Sequence, residues 1–189
     1  MFTLPTMLTF ARIGLIPVFV IVFFLPYEWS HIATALIFGL ASITDWVDGY
    51  LARKWNQTSA FGAFLDPVAD KLMVAVILVL LVQANPTALL AIPAAVIICR
   101  EIAVSALREW MAEIGEKTHV SVSTMGKYKT TFQMIALFML LYREDILGLP
   151  TMVLGIIMLY IAAALTLWSM IIYIRAAWPI LLANNETDE

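Results

Sequence analysis

The sequence predicts an all-α integral membrane protein, with six transmembrane helices in one bundle and both termini in the cytoplasm. Of its 189 residues, 62% are hydrophobic and 13% are charged, and the mean hydropathy is +0.92. A soluble domain of this length would need more polar side chains to cover its surface. At about 20 residues per membrane helix, the chain holds about six spans with short loops. We therefore expect a single membrane domain over residues 1–189.

The first three predicted helices are apolar stretches that end at prolines or basic residues. The first stretch lacks a positive n-region and carries Arg12 inside its apolar part, so it predicts a retained span rather than a cleaved signal peptide. It stops at Pro26, the second stretch ends at Arg53 and Lys54, and the third ends just before Pro86. These three spans are predicted at about 6–25, 31–52 and 61–83.

The last three predicted helices carry more polar residues near their cytoplasmic ends. The fourth is interrupted by Arg100 and Glu101, the fifth has Lys127 and Lys129 near its start, and the sixth follows Pro150. These spans are predicted at about 87–111, 122–142 and 151–174. The acidic tail over residues 184–189 is expected to be disordered.

The distribution of basic residues predicts the orientation, because Lys and Arg are enriched on the cytoplasmic side of membrane proteins. With a cytoplasmic N-terminus, only Arg143 lies outside, and the opposite topology would place nearly all the positive charge there. The basic residues then on the cytoplasmic side are Arg12, Arg53, Lys54, Lys71, Arg100, Arg108, Lys117, Lys127, Lys129 and Arg175.

Four aspartates lie inside or at the edge of the apolar spans, all towards the predicted cytoplasmic side. Asp45 and Asp48 come late in the second span, and Asp66 and Asp70 come early in the third. Carboxylates cost several kcal/mol each in a membrane unless they are paired or solvated. On helices, the members of the two pairs are about 60° and about 40° apart, so each pair shares one face. We expect the two helices to form a hairpin whose acidic ends are neighbours, with a cation to balance the charge.

The ligand chemistry of these aspartates indicates which cation they would bind. Carboxylate oxygens without nearby Cys or His favour Mg²⁺ or Mn²⁺, and His31 lies at the opposite end of its helix. The four carboxylates could hold two such ions. The alternative is a structural role, in which the carboxylates cap the third helix or pair with Arg53, Lys54 and Lys71.

Small residues accompany the carboxylates, so a bulky ligand could approach the backbone of the second helix. The small residues on that acidic face are Ala41, Gly49 and Ala52. Gly62 precedes Asp66 by one turn and leaves space in the same way. Arg53 could donate two hydrogen bonds to a phosphate. Small residues in membrane helices often allow helices to pack closely. Here they lie on the same helix face as the aspartates, and this favours a ligand site.

The segment from Asp45 to Asp70 contains all eight fixed positions of the pattern D-x-x-D-G-x-x-A-R-x8-G-x-x-x-D-x-x-x-D. With this pattern the chain resembles the CDP-alcohol phosphotransferase family, and the resemblance extends over the whole sequence. Residues 100–101, 106–112 and 126–131 are similar to those of bacterial family members that use glycerol 3-phosphate as acceptor.

The resemblance implies an enzyme of phospholipid biosynthesis in the bacterial cytoplasmic (inner) membrane, with its active site facing the cytoplasm. It implies transfer of the phosphatidyl group from CDP-diacylglycerol to sn-glycerol 3-phosphate, giving phosphatidylglycerol phosphate and CMP. It also implies a homodimer. Asp45, Asp48, Asp66 and Asp70 would hold two divalent ions, Mg²⁺ or Mn²⁺, with Asp70 as the catalytic base. The implied CDP-binding residues are Asp45, Asp48, Gly49, Ala52, Arg53, Gly62 and Asp66.

The acceptor carries a phosphate, so a second anion site is expected beside the carboxylates. Arg108 and Lys127 are the first candidates for it, followed by Arg100 and Lys129, because all four lie in the cytoplasmic parts of the fourth and fifth helices. The alternative is that these side chains only extend to the membrane–water interface, where Lys and Arg are enriched on the cytoplasmic side without binding a ligand.

Other functions remain open at this point. The acceptor could be inositol phosphate, serine or a second lipid. The aspartates could belong to a divalent-cation transporter, although a conduction path needs polar groups at successive depths, or the protein could be a structural scaffold. The net charge of −3 without a basic cluster argues against nucleic acid as the main partner. The single Cys99 excludes an internal disulfide and a cysteine-rich metal site.

Overall fold

The computed structural model describes residues 4–55, 60–114, 124–145 and 148–185, and these residues form six α-helices. Side chains are described for residues 7–44, 62, 64–114, 128–145 and 148–178. The helices are α1 (Leu4–Phe23), α2 (Ser30–Trp55), α3 (Ala60–Ala84), α4 (Ala88–Glu113), α5 (Thr124–Tyr142) and α6 (Thr151–Asn185). The prediction of six helices in this order is therefore confirmed.

The helix boundaries lie close to the predicted ones except at the C-terminal ends of α2 and α6. The second span was predicted to end near residue 52, whereas α2 continues to Trp55. The sixth was predicted to end near residue 174, whereas α6 continues to Asn185, so part of the predicted disordered tail is helical. Residues 186–189 lie outside the described residues. Helices commonly extend beyond the apolar segment, because the backbone hydrogen bonds of a helix do not require apolar side chains.

The helices pack so that α3 contacts α1, α4 and α5. Helix α1 also packs against α2, α5 packs against α2 and α6, and α4 packs against α6. The second half of α3 lies in the common apolar core, and its first half carries the acidic residues described below. The core includes a large side chain from every helix, among them Phe19, Phe38, Ile77, Leu78, Ile97, Leu137, Leu140 and Leu159.

Gly155 allows α6 to approach α5 closely. A Cβ atom added at Gly155 would lie 2.9 Å from Leu140 Cγ and 3.2 Å from Met139 Cβ. We expect Gly155→Ala to destabilise the protein by about 1–3 kcal/mol, because overpacking a close helix contact forces a backbone shift. The measurement is the thermal unfolding midpoint in detergent.

The matched control for this substitution is Gly14→Ala on α1. A Cβ atom at Gly14 would meet no heavy atom within 4 Å. Alanine is also the better helix former, so this variant should unfold at or above the wild-type midpoint. Equal midpoints for the two variants would show that the contact at Gly155 tolerates a methyl group.

Large apolar side chains lie exposed on all six helices, for example Ile21, Leu40, Phe64, Ile102 and Trp168. Soluble monomers rarely expose apolar surface to this extent. Within the described part of the chain, two segments are long and apolar enough to cross a bilayer by length and composition, Ala88–Glu113 and Thr151–Trp178. Shorter apolar helical segments are Met7–Phe23 and Ser30–Thr44. The exposed surface therefore suits a lipid environment.

Candidate active site

The first half of α3 presents two of the four predicted aspartates. Asp66 and Asp70 lie four residues apart on this helix, which places them on the same face. Asp66 is exposed, and the side chain of Asp70 is 41% exposed. Both carboxylates can therefore be reached from outside the bundle.

Helix α1 supplies a polar partner for each of these carboxylates. The Thr9 hydroxyl donates a hydrogen bond to Asp66 Oδ1, and Arg12 Nη1 lies 3.2 Å from Asp70 Oδ1. Arg12 is only 3% exposed, so its charge is held inside the bundle beside an anion. Thr9 and Arg12 lie on consecutive turns of α1, as Asp66 and Asp70 do on α3. The two contacts therefore keep the acidic face of α3 turned towards α1.

A polar cavity of about 180 Å³ opens beside Asp70, between α3, α4 and α5. Carboxylate, ammonium, hydroxyl and amide groups meet in its wall. The lining residues are Pro67, Asp70, Lys71, Val74, Glu101, Lys129, Thr130, Gln133 and Met134. The cavity therefore places a candidate proton acceptor next to positive charge in a space that suits a small polar molecule.

Lys129 and Glu101 form an ion pair in this wall, in which the ammonium group donates to Glu101 Oε1. Arg100 Nη1 contacts the same carboxylate oxygen at 3.1 Å, and Arg100 Nη2 donates to Ser169 of α6 at 2.7 Å. The side chains of Lys129 and Arg100 are about one tenth exposed. One glutamate thus balances two cations, and the excess positive charge suits an anionic ligand.

Lys71 is the second lysine of the cavity wall, one residue after Asp70. It donates a hydrogen bond to the hydroxyl of Ser105, which in turn donates to the Glu101 carbonyl at 2.7 Å. These contacts hold Lys71 against α4 and orient it beside the cavity.

The structure places the predicted acceptor-binding residues in different surroundings. Lys129 lines the cavity, whereas Arg100 and Arg108 are not among its lining residues. Arg108 is exposed and stacks over the ring of Tyr173, 5.0 Å from the ring centre, with Nε donating to the Tyr173 hydroxyl at 3.1 Å. The backbone of Lys127 is part of α5, and its side chain lies outside the described residues. Of the four, Lys129 is the one that the described side chains bring close to Asp70.

The eight-position pattern that runs from Asp45 to Asp70 is called the signature below, and its other residues lie mostly on α2. Asp45, Asp48, Gly49, Ala52 and Arg53 belong to this helix, and their side chains lie outside the described residues. Among the described side chains, no group of three or more His, Cys, Asp or Glu residues is arranged to hold a metal. The predicted arrangement of all four aspartates thus stays a prediction.

A small cavity of about 20 Å³ nevertheless brings α2 next to Asp70. Ala41 and Ser42 of α2 line it together with Arg12 and Asp70. Asp45 is one helical turn further along α2 than Ala41. Gly62, on the first turn of α3, is buried.

An apolar groove of about 480 Å³ runs between α3 and α4. It shares Lys71, Val74 and Glu101 with the polar cavity. The rest of its wall is mainly aliphatic, with Leu72 and Ile98 among the lining residues. The groove therefore has a polar end at the cavity and an apolar body along the helices.

Sequence reasoning did not assign a site role to Thr9, Arg12, Lys71, Glu101 or Gln133. Arg12 and Glu101 could have been identified from the sequence, because ionisable residues within apolar spans mark functional sites by default. Thr9 and Gln133 had none, because their importance depends on which neighbouring helix they face.

Comparison with known proteins identifies the family. The model of the CDP-alcohol phosphatidyltransferase family matches residues 2–168. A relative from Haemophilus influenzae is 56% identical over 183 residues, which cover 97% of this chain and 97% of the relative. A relative from Pectobacterium atrosepticum is 55% identical over 178 residues, which cover 93% of this chain and 95% of the relative. Both relatives carry the name CDP-diacylglycerol–glycerol-3-phosphate 3-phosphatidyltransferase. A match of this length and identity, together with the complete signature on α2 and α3, means that the chain belongs to the CDP-alcohol phosphatidyltransferase family.

Proposed function

We propose that this protein transfers the phosphatidyl group of CDP-diacylglycerol to sn-glycerol 3-phosphate, giving phosphatidylglycerol phosphate and CMP. The observation that carries the proposal is the 55% identity to a relative of that name over 93% of the chain. The cavity beside Asp70 supports it independently, because it combines a carboxylate with buried positive charge. A phosphorylated alcohol needs both features, one for its hydroxyl and one for its phosphate.

The carboxylates fit a site for divalent cations. Asp66 and Asp70 offer only oxygen donors from one face of α3, as Mg²⁺ and Mn²⁺ prefer, and both are accessible. With Asp45 and Asp48 of the same signature they would hold two ions. When bound, such ions neutralise the diphosphate oxygens of the donor and stabilise the departing CMP.

Asp70 is the proposed base of the reaction. The acceptor hydroxyl gives its proton to the Asp70 carboxylate, and its oxygen bonds to the phosphorus that carries diacylglycerol. The bond from that phosphorus to CMP then breaks. Arg12 orients Asp70 through the contact at 3.2 Å. Asp45, Asp48, Gly49, Ala52, Arg53, Gly62 and Asp66 form the proposed CDP-binding surface, and Arg100, Arg108, Lys127 and Lys129 the proposed acceptor site.

A membrane location agrees with a lipid donor. We propose six spans in a bacterial inner membrane, with both termini and the active site on the cytoplasmic side. The exposed apolar side chains on all six helices and the two long apolar segments support the membrane location, and the basic residues support the orientation. The apolar groove with its polar end at Lys71 and Glu101 suits a lipid chain. A homodimer, which the family implies, belongs to the same proposal.

The test is CMP release by the purified protein in mixed micelles of CDP-diacylglycerol. We expect release to require both glycerol 3-phosphate and a divalent ion, to stop with a chelator and to return with Mg²⁺ or Mn²⁺. Release with inositol phosphate or serine, but not with glycerol 3-phosphate, would overturn the acceptor. Metal flux in sealed proteoliposomes without CMP release would favour a transporter instead.

A further inference from the structure

Gln133 is a buried polar residue of α5 to which the proposed reaction has so far given no role. Its side chain lines the polar cavity, and the residue is only 6% exposed. Its Oε1 atom has no hydrogen-bond donor among the described residues. Buried amide oxygens are nearly always paired in native proteins, so an unpaired one on a cavity wall points to a donor supplied by a ligand.

The groups around Gln133 narrow down the chemistry of that ligand. Lys129 lies one turn before Gln133 on α5, and Asp70 lies on the same cavity wall. The ammonium groups of Lys129 and Lys71 already donate to Glu101 and Ser105. A ligand that satisfies all these groups carries an anion for the lysines, a hydroxyl for Asp70 and a further hydrogen-bond donor for Gln133 Oε1.

We propose that Gln133 accepts a hydrogen bond from the central hydroxyl of glycerol 3-phosphate and thereby selects a phosphorylated diol. This inference rests on the acceptor proposed above. The phosphate of that acceptor is at one end and the reacting hydroxyl at the other, so the central hydroxyl is the donor left for Gln133. A site built around such a bond rejects an acceptor that lacks the hydroxyl, because the amide oxygen is then left buried and unpaired.

The alternative occupant of this position is water, for which a cavity of about 180 Å³ has room. A water molecule that stays bound to Gln133 would not distinguish between acceptors. The selectivity between two acceptors therefore separates the alternatives.

The experiment compares glycerol 3-phosphate with 3-hydroxypropyl phosphate, which lacks the central hydroxyl, in the wild type and in Gln133→Met. Methionine has a similar length and shape but no amide oxygen. We expect the wild type to prefer glycerol 3-phosphate at least tenfold in kcat/KM, and Gln133→Met to reduce that preference to within about threefold. The kcat/KM for glycerol 3-phosphate should fall while that for 3-hydroxypropyl phosphate changes little, and the KM for CDP-diacylglycerol should stay unchanged.

The matched control is Gln83→Met, at the exposed far end of α3, which should keep the wild-type preference. The ratio of the two kcat/KM values does not depend on the fraction of folded enzyme, so partial unfolding cannot imitate the result. An equal loss for both acceptors, or an unchanged ratio, overturns the role of Gln133. No CMP release by the wild type with either phosphate overturns the proposed function itself, and this inference with it.

Discussion

Asp70→Asn is expected to reduce CMP release at least about a thousandfold, within the range for loss of a positioned base. Asparagine keeps the size of the side chain and an oxygen that can accept from Arg12. It cannot take the proton of the acceptor hydroxyl, and it is a weaker ligand for a divalent cation. The measurement is kcat for CMP release at saturating CDP-diacylglycerol, glycerol 3-phosphate and Mg²⁺.

The ion pair between Arg12 and Asp70 requires a check on folding. Arg12 is 3% exposed, and removing the charge of its partner leaves a buried guanidinium less well compensated. The activity is therefore normalised to folded protein and measured well below the unfolding midpoint. Asp145→Asn, an exposed acid after α5, is the matched control and should retain activity. Turnover of folded Asp70→Asn within tenfold of the wild type would exclude Asp70 as the base.

Lys129→Met should raise the KM for glycerol 3-phosphate about 10- to 100-fold, the effect of losing one charge-assisted hydrogen bond to the phosphate. The KM for CDP-diacylglycerol should change little, because Lys129 lines the cavity rather than the signature face of α2. Arg108→Met tests the other candidate, and we expect a smaller increase because Arg108 lies against Tyr173. Initial rates at varied concentrations of each substrate give both KM values.

The contact between Lys129 and Glu101 offers a second explanation for an increased KM, which is that the Glu101 carboxylate loses a counter-charge. Loss of Lys129 leaves Glu101 with Arg100 as the cation within 4 Å among the described residues. If Lys129 only balances that carboxylate, adding Glu101→Gln to Lys129→Met should restore the KM. If Lys129 binds the acceptor phosphate, the double variant should stay as weak as the single one. An equal rise of both KM values would rule out a role specific to the acceptor.

The sequence alone was enough to predict the helices and the acidic signature. The alternation of apolar stretches with prolines and basic residues predicts six helices, and all six are present. The spacing of Asp66 and Asp70 places both on one face of α3, because that relation depends only on helix geometry. These are local properties, which a single helix expresses without its neighbours.

Only the tertiary structure decided which side chains meet across helices. The contacts of Thr9 with Asp66 and of Arg12 with Asp70 join residues 57 and 58 positions apart. They depend on how α1 and α3 are rotated about their axes, which no local pattern specifies. The same holds for Lys129 and Arg108, which have similar charge and predicted depth. The packing of α5 against α3, together with the ion pair from Lys129 to Glu101 of α4, brings Lys129 to the cavity. The packing of α4 against α6 turns Arg108 towards Tyr173.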